Sequence, residues 1–360
     1  MPLCSWPRSA AVLAALLAPL LVTGCGANGD TSSSSAEPPG VRPQQREVTF
    51  QSGPDTVHGT FALPPQGGAG LPAALIISGS GPTDRNGDNP MRPDAGTNRN
   101  FARVLAEAGV ASLRYDKLGS GETGMASHDA DAPVGYDVFA QEVADAYAHL
   151  AAQPEVDPSR LLVLGHSEGA LFALRAHRIV DAHPPRALIL AAPPGERYLD
   201  TVDRQFTEQV RTAEAAGGMD YSQAAQTLSD VRYAISLIRE GGDLGRADLS
   251  QEVAGVLNPQ VAPFLRKIDA MDPLQLARDL PPDTRTLVLR GTADSQITRE
   301  NVDRLMRGLP DGRRVSVEGA DHVFRMYSEA PGADVLDSRR RFSPDVAPAV
   351  EGFLEAAVGA

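Results

Sequence analysis

Leu161-Leu162-Val163-Leu164-Gly165-His166-Ser167-Glu168-Gly169-Ala170-Leu171 is the stretch whose reading decides the fold. An apolar run breaks into Gly-His-Ser-Glu-Gly and then resumes with helical spacing, which predicts strand, sharp turn, helix. A serine at the apex of such a turn sits in a strained backbone conformation, its hydroxyl lifted above the end of a sheet where a substrate carbonyl can reach it. Glycines at 165 and 169 suit positions where helix and strand cross closely, because a side chain two residues either side of the serine would collide there. A chain with 34 glycines can contain a Gly-x-Ser-x-Gly by chance. The flanking strand and helix make Ser167 a candidate nucleophile instead.

Upstream, Val48 and Phe50, then Val57 and Thr60 to Leu63, alternate around Ser52-Gly53-Pro54-Asp55 and predict an antiparallel hairpin from Arg46 onward. Ala73 to Ile77 is a continuous apolar run, a buried strand ending in the glycine-rich loop Ser78-Gly79-Ser80-Gly81-Pro82. Phe101, Val104, Leu105 and Ala108 have helical spacing, Gly109 stops them, and Val110 to Asp116 reads as the next strand. Val138, Val143, Ala146, Tyr147 and Leu150 mark a further helix. Beyond the serine, a helix from Glu168 to about Val180 precedes the strand Ala187 to Ala191.

This alternation predicts an α/β fold: a mostly parallel sheet with helices on both faces. From Arg197 to Leu280 the rhythm stops, and only helical patterns are found: Val202, Phe206 and Val210; Leu228, Val231, Ile235 and Ile238; Val261, Leu265 and Ile268. The expectation is a helical cap over residues 197–280, inserted into a core made of 46–196 and 281–360; extra packing on one edge of the sheet is the plainer alternative. The alternation returns with the strand Thr286 to Gly291, a helix from about Glu300, the strand Arg314 to Val317 and a last helix near Val346 to Ala357.

A serine hydroxyl is a weak nucleophile until a base takes its proton, and the base needs a third group to orient it. Sheet proteins with this elbow place the acid and the histidine after the serine, each in a loop leaving the carboxyl end of a later strand. Asp294 stands three residues past the strand ending at Gly291, and His322 follows the strand ending near Val317. Of seven histidines, His322 alone comes after Asp294. His166 is expected to pack within the elbow, because adjacent side chains on a strand point to opposite faces. Asp321 and Asp116 are weaker candidates for the acid, the latter read as a loop-stabilising residue. An oxyanion needs two backbone donors, assigned to Glu168, after the serine, and Ser80, in the loop after the first buried strand. Pro82 has no N–H to offer.

Four motifs in one order resemble the α/β-hydrolase superfamily: Ser78 to Gly87, Arg114 to Gly121, Gly165 to Gly169, and Asp321 to Phe324. Within it they resemble bacterial secreted or lipoprotein esterases related to the dienelactone-hydrolase and prolyl-peptidase-like branch. The resemblance spans residue 46 to the end and implies serine hydrolysis of a small-molecule carboxylic ester, with no cofactor. It departs at Ser78, where many relatives have a histidine. A peptidase or amidase, a thioesterase or acyltransferase, and a noncatalytic ligand-binding lipoprotein are the alternatives.

Asp84 to Asn89 alternates oxygen side chains, but glycine falls at the fourth position and Ala95 at the twelfth, so a structural turn is preferred over a calcium loop. No histidine or cysteine cluster suggests zinc. The net charge of −13 argues against a nucleic-acid partner, which needs a basic face. At the N-terminus, Ala10 to Val22 is a run of thirteen apolar or small residues, short for a membrane span and suited to a signal-peptide core. It ends in Val22-Thr23-Gly24-Cys25, which resembles a bacterial lipobox. Residues 1–24 are thus expected to be a lipoprotein signal peptide, Cys25 the lipidated residue, and 25–45 a flexible tether. That implies a cell-envelope location, lipid-anchored to the outer face of the cytoplasmic membrane, or secretion. Cys4 would leave with the signal, so no disulfide is expected.

Overall fold

The structure, a computed structural model, describes residues 43–330 and 333–360. The expected signal peptide, Cys25 and most of the tether lie outside the described residues. The strand expected from Arg46 begins earlier: β1 runs Gln44–Ser52 and pairs antiparallel with β2, Asp55–Leu63, with Gln45 already opposite Ala62. Glutamines 44 and 45 did not signal a strand because they are exposed on an edge, where outward side chains need not be apolar.

Six further strands follow: β3 (Leu71–Ile77), β4 (Ala111–Tyr115), β5 (Val156–His166), β6 (Ala187–Ala191), β7 (Arg285–Gly291) and β8 (Arg313–Val317). They form one eight-stranded sheet in the order β1-β2-β4-β3-β5-β6-β7-β8, parallel from β4 to β8 and antiparallel at β1 and β2. Their apolar runs have no polar alternation because both faces are covered: Leu75, Ile76, Leu162 to Leu164, Leu188, Ile189 and Leu287 to Leu289 are all buried. Helices α1 (Thr97–Glu107) and α2 (Tyr136–Ala151) make crossovers in opposite directions, β3 to β4 and β4 to β5. Right-handed connections therefore put them on opposite faces. α1 packs against α10 (Val346–Val358), and α2 against α3 (Gly169–Ile179).

Strand order reverses at β3. Its outgoing loop turns toward β4, whereas the loop from β5 turns toward β6, so a crevice opens at the carboxyl ends of β3 and β5. The elbow is pressed into this crevice. A Cβ on Gly165 would overlap the Gly169 carbonyl, and one on Gly169 would overlap the Ile77 carbonyl at the end of β3. Both positions therefore need glycine for space alone, quite apart from φ.

Between β6 and β7 the described residues form no strand. They form α4 (Tyr198–Ala215), α5 (Tyr221–Glu240), α6 (Gln251–Ala254), α7 (Ala262–Asp269) and α8 (Pro273–Arg278). Val202, Phe206 and Val210 lie on the buried stripe of α4, and Val231, Ile235 and Ile238 on that of α5. The chain enters α5 through a capping box between Asp220 and Gln223 and leaves it at Gly241 with φ 83°, a left-handed turn that favours glycine. Asp269 fastens the group. Its buried carboxylate accepts from the Leu199 N–H at 2.9 Å, from Arg197 at 2.6 Å and from Arg239 at 2.9 Å, joining the start of α4, the end of α5 and the end of α7.

Gly169→Ala is expected to destabilise the fold by about 2 kcal/mol or more, the cost of forcing one methyl into a packed backbone crossing. Urea unfolding at constant m-value measures it, and an unchanged midpoint would contradict the crossing.

Candidate active site

Ser167 follows the last residue of β5 with φ 53°. That left-handed conformation costs a non-glycine residue about 1–2 kcal/mol, and it persists because neighbouring bonds dictate it. The Ser167 N–H donates to Ala191 O at 2.9 Å, and the Ala170 N–H donates to Ser167 O at 2.9 Å as α3 begins. Ala192 and Phe324, in loops leaving β6 and β8, share the positive φ. Backbone strain is thus concentrated along the same edge of the sheet.

Asp294 lies in the loop after β7. Its Oδ1 accepts from the N–H groups of Gln296 at 2.8 Å and Ile297 at 2.9 Å, which fixes the carboxylate plane. Its Oδ2 is 3.0 Å from Nδ1 of His322, in the loop after β8, and both side chains are buried. A neutral imidazole facing a carboxylate carries its proton on that nitrogen. Nε2 is left as the acceptor. It is buried and has no hydrogen-bond partner, and His322 and Ser167 line one cavity together with Gly79, Ser80 and His166. A buried acceptor without a donor costs about 1–3 kcal/mol, so its retention beside a serine is informative.

The other candidate acids are occupied elsewhere. Asp321 Oδ1 accepts from the Val323 and Arg325 N–H groups, and its Oδ2 pairs with Arg92 at 2.9 Å and Arg340 at 2.8 Å. Burial works to raise this carboxyl, but the two guanidiniums outweigh it and hold it below the usual carboxylate range. Asp116 accepts from the Arg85 N–H at 2.6 Å, Arg85 Nε at 2.9 Å and the Glu122 N–H at 2.9 Å, knitting together two loops. His166 is buried and donates from Nε2 to His322 O at 2.9 Å. Burial first, and then the neighbouring His322 ring, push it down to about 3, so it stays neutral and props the His322 loop.

Ser80 and Glu168 flank Ser167. A Cβ on Gly79 would stand 3.2 Å from His166 Nδ1 and 3.4 Å from Ser167 Cβ, so the loop after β3 lies directly on the elbow. The Glu168 N–H stands at the open start of α3, where helical donors lack partners within the helix. Ser78 donates to Asp84 O at 3.1 Å and accepts from Asn98 at 2.9 Å, bracing the loop from beneath. In the adjoining turn Asp84 Oδ1 accepts from the Asn86 and Asp88 N–H groups, and Asp88 from that of Gly96.

The family described as serine aminopeptidase, S33, matches residues 93–212. Among solved structures, the α/β hydrolase GrgF from Penicillium sp. sh18 superposes with TM-score 0.54 at 15% identity, covering 88% of this chain and all of that one. Est1E from Butyrivibrio proteoclasticus, solved with ferulic acid bound, gives 0.54 at 15% identity, covering 87% of this chain and all of that one. The chain has the α/β-hydrolase fold. Esterase EstD of Thermotoga maritima is 23% identical over 272 residues, 74% of this chain and 57% of that protein, so the match spans little more than half the relative's length.

The site includes residues that sequence patterning did not single out. Lys117, after β4, reaches Gly79 O at 2.6 Å, and Tyr198, at the start of α4, reaches Glu168 Oε2 at 2.7 Å. Tyr198, Thr201, Val202 and Gln205 line a second cavity that also contains Ser167, which places one face of α4 over the nucleophile. The sequence signals for them were slight: Lys117 falls within the Arg114 to Gly121 motif after a strand end, and Tyr198 opens the helical segment. Glu142 on α2 holds the Lys117 loop through the Leu118 N–H at 2.8 Å, while its other oxygen is buried without a partner.

Burial raises the Glu142 carboxyl from 4.5 to about 8. Below the lower value it is protonated both folded and unfolded; as pH rises toward the upper value only the unfolded chain releases its proton, so folding weakens. Glu142→Gln is expected to raise Tm, with a gain that grows from pH 5 to pH 8. A gain independent of pH in thermal melts would remove the buried acid as its source.

Proposed function

We propose that this protein is a serine hydrolase that cleaves carboxylic esters through an acyl-enzyme. The observation that carries the reading is the buried Asp294–His322 pair, with an unpartnered Nε2 in the cavity that Ser167 lines. Ser167 Oγ attacks the ester carbonyl as His322 Nε2 takes its proton. Asp294 orients the ring and stabilises its charged form. The backbone N–H groups of Ser80 and Glu168 hold the oxyanion, and His322 returns the proton to the leaving alcohol. Water, deprotonated by the same nitrogen, then releases the acid and regenerates the serine. No step calls for a cofactor. The names of Esterase EstD and Est1E support an ester as the substrate.

A second reading is favoured by the serine aminopeptidase match over residues 93–212: the same residues would cleave the amide of an aminoacyl substrate. The two differ in leaving group and are separated by assay. In either case we take the protein to be lipid-anchored through Cys25 at the cell envelope, a reading that rests on the Val22 to Cys25 motif. Among the described residues no helix is long and apolar enough to cross a membrane.

A nitrophenyl acyl series from acetate to palmitate, run beside aminoacyl nitroanilides, tests the chemistry. Turnover of the esters with an optimum chain length is expected. Ser167→Ala should lower kcat by about 10⁵-fold without unfolding the protein, and Asp294→Asn by about 10³- to 10⁴-fold. Retention of activity by Ser167→Ala would sink the proposal, and turnover confined to the anilides would replace ester by amide. Cys25→Ser should abolish incorporation of labelled palmitate in cells; unchanged labelling would move the anchor elsewhere.

A further inference from the structure

Three largely buried polar side chains that this chemistry does not use converge on Glu168, beside Ser167. Lys117 Nζ donates to Gly79 O at 2.6 Å and lies 3.4 Å from Glu168 Oε1. Tyr198 Oη donates to Glu168 Oε2 at 2.7 Å. The side chains of Lys117 and Glu168 are 12% and 6% exposed, and Tyr198 is 7% exposed. An ion pair so far from water costs several kcal/mol in desolvation, and apolar packing would often fill the same space at no loss of stability. Its position suggests what it is for.

Gly79 C=O and Ser80 N–H are opposite ends of one trans peptide plane. An ammonium bonded to the carbonyl end aims the N–H away from itself and draws electron density toward the oxygen, which strengthens the N–H as a donor. The same ammonium, together with the Tyr198 hydroxyl, fixes both carboxylate oxygens of Glu168, the residue whose N–H is the other oxyanion donor. A Cβ at Gly79 would stand only 3.4 Å from Ser167 Cβ, so the peptide plane adjoins the reacting atoms and a small rotation misdirects its N–H.

We propose that Lys117, the Glu168 side chain and Tyr198 form a clamp that sets the two oxyanion donors, with Lys117 as the positioning residue shared by both. The inference rests on the reading of Ser167 as the hydrolytic nucleophile. Tyr198 belongs to α4, whose first turn is held by Asp269 through the Leu199 N–H, so the clamp ties the oxyanion hole to the helical segment between β6 and β7. A clamp acts where charge develops and not where substrate docks, so its loss falls on kcat and leaves KM nearly unchanged.

The test uses the full chain, with nitrophenyl acetate as substrate and an aryl trifluoromethyl ketone, which forms a tetrahedral oxyanion on the serine, as inhibitor. Lys117→Met is expected to lower kcat by about 10- to 100-fold, less than the 10²- to 10³-fold typical of deleting a donor outright. KM should stay within about twofold, and ketone affinity should weaken in proportion to kcat. Lys117→Arg should recover part of the loss. Tyr198→Phe, which removes one oxygen, should lower kcat about 3- to 10-fold with the same constancy of KM, and it carries the test if Lys117→Met does not fold. Wild-type kcat in the folded variants, or losses carried by KM with ketone affinity unchanged, would overturn the clamp and leave the hydrolase reading standing. Absence of Ser167-dependent turnover in the unmodified protein would overturn that reading, and the clamp with it.

Discussion

Three backbones meet at van der Waals distance at the carboxyl ends of β3 and β5, and the rest of the structure depends on that approach. Gly165 is pressed against Gly169, Gly169 against Ile77, and Gly79 against the elbow. Because no side chain intervenes, the serine turn, the start of α3 and the loop after β3 pack directly on one another. The reversal of strand order at β3 is what brings these two loops side by side, and the buried core beneath them leaves the elbow no softer conformation to relax into.

Around this crossing the chain holds its loops with buried charge. Arg85 and Asp116 join the turn after β3 to the loop after β4. Arg92, Arg340, Asp321 and Asp337 join the His322 loop to segments almost 250 residues away in sequence. Asp269 gathers three helices of the segment between β6 and β7. In each case carboxylate oxygens are shared among guanidinium and backbone donors, which offsets the desolvation of placing charge inside. Bidentate contacts also fix orientation, so loops that lack an apolar core of their own become rigid enough to position a proton acceptor. The candidate site lies at the sheet's carboxyl edge, and these ion clusters are its scaffolding.

Much of this was legible in the primary structure, where local pattern carries enough information. The apolar runs of β3, β5, β6 and β7, the helical spacing of α1 to α5, and the Gly-x-Ser-x-Gly break are short-range features set by burial and by the steric needs of a tight turn. The order Ser167, Asp294, His322, each past a strand end, follows from the topology those patterns imply, and the structure places Asp294 against His322. The start of β1 was misjudged by two residues because polar side chains on an exposed edge strand leave no apolar alternation to read.

What the sequence by itself determined, then, is the alternating α/β chain, the elbow with its two obligatory glycines, and the residue types able to do nucleophilic chemistry at strand ends. Tertiary structure decided what each aspartate binds, Asp294 facing the imidazole while Asp321 is taken up by Arg92 and Arg340. It also decided that Lys117 and Tyr198 come together on Glu168 from positions 81 residues apart, and that a buried nitrogen of His322 is left without a donor in the serine's cavity. The physical reason is the same in each case. A strand or a turn is specified by neighbours within a few residues, whereas the partner of a buried polar atom is chosen by whichever distant segment the sheet order carries past it.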